Sequence, residues 1–474
     1  MKPFRAIVIQ TVRSAVRSHV FHVLFAFIAI AMFGLPLMVS GDGTAQGLVQ
    51  IALTYSLGVI MALVSATTVW LACSQLPREV ENYTIHMVAT KPCPRFSIWL
   101  GKWFGVFLMN TLIFLVSAGT IYGLVFARLA WAKYKGRVSE QDMVQLHNEV
   151  LVGRRAFQSE EPPFIQLTEA EYEKRLQEGK LDKEHNKGFV LSEIYRQLKN
   201  KSASVPPGTS KRWVFKNVSV DSVDEMVFLR YRHYRESTSR SSQRVLRGIW
   251  SIRNPEQSTK DRESLDHFPL QVLTGGYHEL PIPGKYVNGD GVLVVEYANP
   301  PSEVQGTKGE AEKNNVIFQL GDGPDLLVRE SGFLSNYIRT MILCVFQIAF
   351  LAALGCTVGS AFSTPVAAFV AVAYLTIGMS VQAAIDAPLK DDMGRYEYKG
   401  VFDHGAHLVA RTIGKAVVSI DELNTTSDLA RGRLVEISRI GGSLVRLIFI
   451  RGGLMAALGM WILTRRELGA VIRR

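Results

Sequence analysis

The stretch from Arg78 to Lys102 reads REVENYTIHMVATKPCPRFSIWLGK, and an apolar run lies on either side of it. Over Arg78 to Thr90 the apolar residues Val80, Tyr83 and Met87, with Ile85 and Val88 near them, fall towards one side of a helix. Glu79, Glu81, Asn82 and His86 fall largely opposite, a period that predicts a short amphipathic helix. Pro92 and Pro94 end it, because proline lacks the donor a helix interior needs. A charged, helix-forming, proline-closed link is an unusual join between two long apolar runs, and its meaning depends on what those runs are.

Six stretches read as bilayer-spanning: Val20 to Ser40, Leu48 to Cys73, Phe104 to Ala127, Met341 to Phe362, Val366 to Ile385 and Ser443 to Thr464. Crossing a hydrocarbon core takes about 20 mostly apolar residues, and the first five runs meet that with no Asp, Glu, Lys or Arg inside them. The 474-residue composition, 48% hydrophobic with net charge +11, is the average of these runs and a very different, polar remainder. The first run is too long for a cleaved signal peptide and lacks a small-residue cleavage site after it.

Positive charge near span ends sets orientation. Lys2, Arg5, Arg13 and Arg17 precede the first span, Arg78, Lys91, Arg95 and Lys102 lie between the second and third, and Arg465, Arg466, Arg473 and Arg474 follow the last. The SGDGTAQG loop after span one has no Lys or Arg. Both termini and the Arg78–Lys102 link are therefore expected in the cytoplasm, with residues 128–339 and 386–442 outside. The expected division is residues 1–127, with an interfacial helix and three spans, an extracytoplasmic domain over 128–339, and residues 340–474 with three more spans and an amphipathic segment at 386–442.

Within the insert, residues 141–201 are charged and helix-prone, and SVPPGTS closes them with turn formers. WVFKNVSV, MVFLRYRHYR, GIWSIR, FPLQVL, GVLVVEYA, NVIFQL and DLLVRE then alternate roughly in polarity between Gly, Pro, Asn and Asp clusters. That pattern predicts an antiparallel β-sandwich over 211–332. Cys73, Cys93, Cys344 and Cys356 all lie outside the insert, so no disulfide holds it.

Catalytic chemistry is sparse. There is no G-x-x-x-x-G-K-[S/T] phosphate loop, H-E-x-x-H or G-x-S-x-G. Asp403, His404 and His407 form D-H-G-A-H, without the further ligand a metal centre needs. Gly355 and Gly359 have the spacing that lets membrane helices approach. Arg451 sits inside the boundary of the last span, where a charge marks a pathway or a partner or snorkels outward as Arg446 would. In the insert, Arg230, Arg232, Arg235, Arg240, Arg244 and Arg247 cluster; they form either a solvated strand face or a surface for an anionic glycan, lipid head group or acidic partner. Trp213, Trp250, Tyr231 and Tyr234 are read as core residues before sugar-stacking ones.

The Arg78–Lys102 run resembles the cytoplasmic signature of ABC-2 type transporter permeases, through Glu79, Glu81, Thr84, Pro92, Arg95, Gly101 and Lys102. Two further regions agree: KPFRAIVIQTVRSAVRS resembles the interfacial helix before span one, and DELNTTSDLARGRL with RRELGAVI resembles the carboxy-terminal end of that family. The resemblance implies a polytopic α-helical membrane protein of six transmembrane helices in the bacterial cytoplasmic (inner) membrane. It implies two permease chains, as a homodimer or heterodimer, in contact with membrane lipid and with a separate ATP-binding cassette subunit that the link helix touches. ATP and Mg would belong to that subunit, with no cofactor and no enzyme activity in this chain and no role for nucleic acid. The extracytoplasmic α+β insert is outside the resemblance. The alternative is a non-transporting envelope assembly or receptor protein, anchored by its spans and binding a partner through the sandwich.

Overall fold

A computed structural model of the chain describes residues 2–38, 44–84, 94–180, 187–220, 222–235, 245–253, 265–301, 315–319, 323–386, 405, 408–409, 412 and 426–466. The chain divides into two compact units, one of Met1–Gly153, Ser331–Ala387 and Gly400–Arg474, the other containing Arg154–Glu330. The helical unit therefore keeps residues 128–153 and 331–339, which the sequence assigns to the insert. Residues 386–442 and the D-H-G-A-H run lie largely outside the described residues.

The helical unit begins with α1 (Lys2–Val16), α2 (His19–Met38), α3 (Ala45–Glu81), α4 (Arg95–Tyr134) and α5 (Glu140–Glu149). After the insert come α8 (Phe333–Ala361), α9 (Thr364–Asp386) and a last helical run, Ile437–Arg465, whose middle, Leu444–Gly452, is π-helical. Among the described residues five helices are long and apolar enough to cross a membrane: α2, α3, α4, α8 and Ile437–Arg465. Six were expected; the remaining one falls on α9, whose described residues include the apolar stretch Thr364–Gly378.

At 37 and 40 residues, α3 and α4 are longer than their apolar runs. At 1.5 Å rise per residue each exceeds a hydrocarbon core of about 30 Å. Thr44 starts α3 by accepting from the amide of Gly47 at 2.9 Å, and Ser139 starts α5 in a capping box with Asp142. Both satisfy amides that lack an intrahelical partner. The hub is α8, which packs against α3, α4, α9 and the last helix and whose most apolar window is 78% buried. Several hydroxyls inside the helices bond back to their own backbone, as Thr67 does to Leu63 and Thr68 to Val64, which satisfies their donors in an apolar interior. Those of Ser56 and Ser65 on α3 and Thr111 on α4 are instead buried without a partner among the described residues.

The second unit opens with β1 (Val152–Gln158), which starts in the helical unit's last residues, followed by α6 (Phe164–Gln177) and α7 (Lys187–Ala203). Strands follow: β2 (Ser204–Val205), β3 (Ser210–Phe215), β4 (Met226–Arg232), β5 (Tyr234–Arg235), β6 (Val245–Arg253), β7 (Leu265–Leu273), β8 (Tyr277–Pro283), β9 (Leu293–Ala298), β10 (Val316–Ile317) and β11 (Asp325–Gly332). They form two four-stranded sheets, ordered β1-β11-β4-β8 and β3-β9-β6-β7, and a small sheet β2-β10-β5. The pairs β4/β8, β11/β4, β3/β9, β6/β9 and β6/β7 are antiparallel. Leu229, Tyr231, Ile282 and Leu326 from the first sheet share one buried cluster with Phe215, Trp250, Val295 and Tyr297 from the second.

Alternation explains the burial. In β9 the residues Leu293, Val295 and Tyr297 are buried while their neighbours are less so, as period two requires when one face is covered. Trp213, Trp250 and Tyr231 are core residues, 6%, 1% and 1% exposed. Gly248 makes room for the Tyr297 ring: a Cβ there would lie 2.3 Å from it, so the strand yields its side chain to the aromatic neighbour.

Candidate coupling site at the α3–α4 link

The two charged ends of the link meet. Lys102, in the second turn of α4, forms an ion pair with Oε1 of Glu79, near the carboxy-terminal end of α3, and both are buried. Glu79 therefore does not lie on an exposed rim as its helical period predicts. Lys102, twenty-three residues on, draws it inward, since a buried ammonium must be paired. The pairing leaves Oε2 of Glu79 and Oε1 of Gln75, one turn earlier on α3, buried without hydrogen-bond partners.

The link helix expected over Arg78 to Thr90 is also different. Arg78 to Glu81 are the last turn of α3, which then ends; the amide of Asn82 bonds to the Arg78 carbonyl at 2.9 Å. Tyr83 follows with φ of 58°, a conformation a continuing right-handed helix cannot contain. Thr84 turns back so that its hydroxyl donates to the Glu79 carbonyl at 3.3 Å. Residues 85–93, Pro92 among them, lie outside the described residues. Glu81 is exposed, so of the two acidic residues only it remains available to a partner.

Arg95, at the start of α4, caps the last helix. Its Nη1 donates to the carbonyls of Thr464 at 2.7 Å, Arg466 at 3.1 Å and Leu463 at 3.3 Å, where unpaired carbonyls and the negative end of the helix dipole favour a cation. Arg466 in turn donates to the Ser360 carbonyl at 2.7 Å, near the end of α8. Three helix ends are thus tied by two guanidinium groups.

Gly101 packs against α1. A Cβ there would lie 2.7 Å from Cγ2 of Ile7, and at Gly105 it would lie 2.8 Å from Cβ of Thr11, so the pair forms a close helix–helix seam. Arg78 reaches Ser18, beyond the end of α1, at 3.3 Å. Gly355 and Gly359 make a second seam, with hypothetical Cβ atoms 2.5 Å from Ala72 and 2.9 Å from the Cys73 carbonyl. Arg451 is half-buried in the π-helical segment.

The structure therefore brings together Glu79, Thr84 and Lys102, places Gly101 one residue away on the α1 seam and Arg95 on the last helix, and leaves Glu81 outward. Gly105 and Ser18 were not singled out from sequence, and Arg466 was read there only as a basic residue following the last span. The G-K-W-F-G spacing of Gly101 and Gly105 carries the seam signal; the capping by Arg466 and the contact with Ser18 have no local signature. Among the described residues no group of three or more His, Cys, Asp or Glu could hold a metal ion. No protein-family model, curated protein or solved structure matches the chain. What the molecule itself defines is a multi-helix protein with five helices long and apolar enough to cross a membrane and an inserted β-rich unit.

Proposed function

We propose that this chain is the membrane-spanning permease subunit of an ABC-2 type ABC transporter. In this reading it has six spans, both termini in the cytoplasm of a bacterial inner membrane, and the inserted unit, a β-sandwich with helices before it, on the outer side. The observation that carries the reading is the buried Glu79–Lys102 pair. Both residues belong to the run that resembles the family's cytoplasmic signature, and their contact fixes the two ends of the link against each other. A link held this way transmits a push from a partner into α3 and α4, whereas a loose one would absorb it. The tie from α4 through Arg95 to the last helix, and through Arg466 to α8, would spread such a push across the bundle.

ATP and Mg would be held by a separate ATP-binding cassette subunit, and a second permease chain would complete the transporter. Exposed Glu81 would face that subunit, while Gly101 seats α1 against α4 behind it. The test is a search of the neighbouring genes for an ATP-binding subunit, co-purification of that subunit with this chain in detergent, and ATPase measurement in lipid. Hydrolysis that depends on this chain supports the reading. A chain that retains no ATP-binding subunit and changes no ATPase rate supports instead a non-transporting envelope protein that binds a partner through its inserted unit.

A further inference from the structure

The inserted unit has a cleft of about 170 Å³ between the segment after β1, β3 and the start of β11, with Lys211, Trp213, Phe318 and Pro324 in its walls. Lys211 sets its chemistry. Its ammonium donates to the Ser202 carbonyl in the last turn of α7 and lies 4.9 Å from the centre of the Trp213 ring. An ammonium has three donors, so one backbone carbonyl leaves it under-used. Of the other charges near the cleft, Arg212 lies 3.4 Å from Glu296 and Lys216 lies 2.6 Å from Glu160. Glu161 and Asp325 also line the cleft, but no carboxylate forms an ion pair with Lys211 among the described residues. A largely buried cation that forms no ion pair and faces a cavity can take up an anion. The volume is below that of a drug-sized site, and the buried indole and phenyl rings beside the ammonium suit a flat apolar body.

We propose that this cleft binds a small organic anion, a carboxylate carried on a flat apolar body, with the carboxylate on the Lys211 ammonium and the body against Trp213 and Phe318. The inference is independent of the permease reading. Burial alone lowers Lys211 to about 8, so the amine is mostly charged at pH 7 and mostly neutral at pH 9. Because only the charged form pairs with a carboxylate, affinity should fall by about tenfold across that interval.

The experiment uses the full chain in lipid nanodiscs with benzoate as probe, and benzamide and inorganic phosphate as comparisons. Binding is followed by saturation-transfer NMR and by the rate at which acetic anhydride modifies Lys211, with exposed Lys216 as internal reference. Benzoate should slow Lys211 modification at least fivefold without changing Lys216, benzamide should do neither, and the benzoate signal should fall about tenfold from pH 7 to pH 9. Lys211→Gln should abolish binding and Lys211→Arg should keep it. Equal protection by benzamide, protection by phosphate but not benzoate, benzoate binding that survives K211Q, or no protection at all would overturn the proposal. In the last case Lys211 only caps α7. The benzamide comparison is made on the unaltered protein and decides the matter even if K211Q fails to fold.

Discussion

Lys102 and Glu79, twenty-three residues apart in sequence, close on each other in the interior between α4 and α3. Removing one partner of a buried pair leaves an uncompensated charge, at a cost of about 3–5 kcal/mol. Glu79→Gln and Lys102→Met should therefore each lower the thermal stability of the purified protein, and the double variant E79Q/K102M should recover much of the loss. Singles as mild as Glu81→Gln, at an exposed position, would mean that the pair holds nothing in place.

The glycine seams predict a position-dependent response to added bulk. Gly355→Leu and Gly101→Leu would drive side chains into Ala72 and Ile7, whereas a Cβ at Gly58 meets nothing within 4 Å. Overpacking costs roughly 1–3 kcal/mol, so the first two variants should show lower melting temperatures in detergent and Gly58→Leu should not. Equal melting of all three variants would remove the seams from the account.

The two units were legible to different degrees, for physical reasons. Apolar runs and strand alternation are local, so the spans over α2, α3, α4 and α8 and strands such as β6 and β9 are visible in the sequence. The reading ends span two at Cys73, where apolar composition stops, yet α3 continues through Pro77 to Glu81 because Ser74, Gln75, Leu76 and Glu79 are buried by neighbouring elements. Glu79 was misplaced for the same reason: helical period assigns a face but cannot know that Lys102 will be on it. β1 was missed because VGRRAFQ has adjacent arginines and pairs with β11, a strand far along the chain. Arg154 is buried there by a bidentate pair with Glu279 at 2.6 and 3.1 Å, a compensation absent from the local sequence.

A pH response is built into the inserted unit. His233, between β4 and β5, is 1% exposed, neither ring nitrogen has a hydrogen-bond partner, and its ring lies near Tyr231, His278 and Phe318. Burial, with a smaller contribution from His278, lowers it to about 4 from an ordinary 6.5. The unfolded chain takes up a proton below about pH 6.5 while the folded unit does not, so stability is full above that pH and falls as pH drops towards 4, by on the order of 3 kcal/mol. Hydrogen-exchange protection of β4 and β8, corrected for intrinsic rates, should decline over this interval, and His233→Phe should flatten the decline. An unchanged slope in H233F would assign the acid response to other groups.

Orientation is open to direct labelling. With the native cysteines replaced, single cysteines at exposed Gly289 and exposed Glu81 should behave oppositely in intact cells. Gly289→Cys should react with a membrane-impermeant thiol reagent and Glu81→Cys only after the cells are opened. Labelling of E81C in intact cells would reverse the topology drawn from the charge pattern.

The most direct test of the central claim is ATP hydrolysis by the co-expressed ATP-binding subunit, measured in nanodiscs with this chain and with its Glu81→Lys variant. Glu81 is exposed at the end of α3, and Lys is as good a helix former as Glu, so melting temperature and membrane abundance should be unchanged. The permease reading predicts that the native chain stimulates hydrolysis and that E81K loses most of that stimulation, because a reversed charge at a contact opposes docking. Hydrolysis indifferent to the presence of the native chain would contradict it.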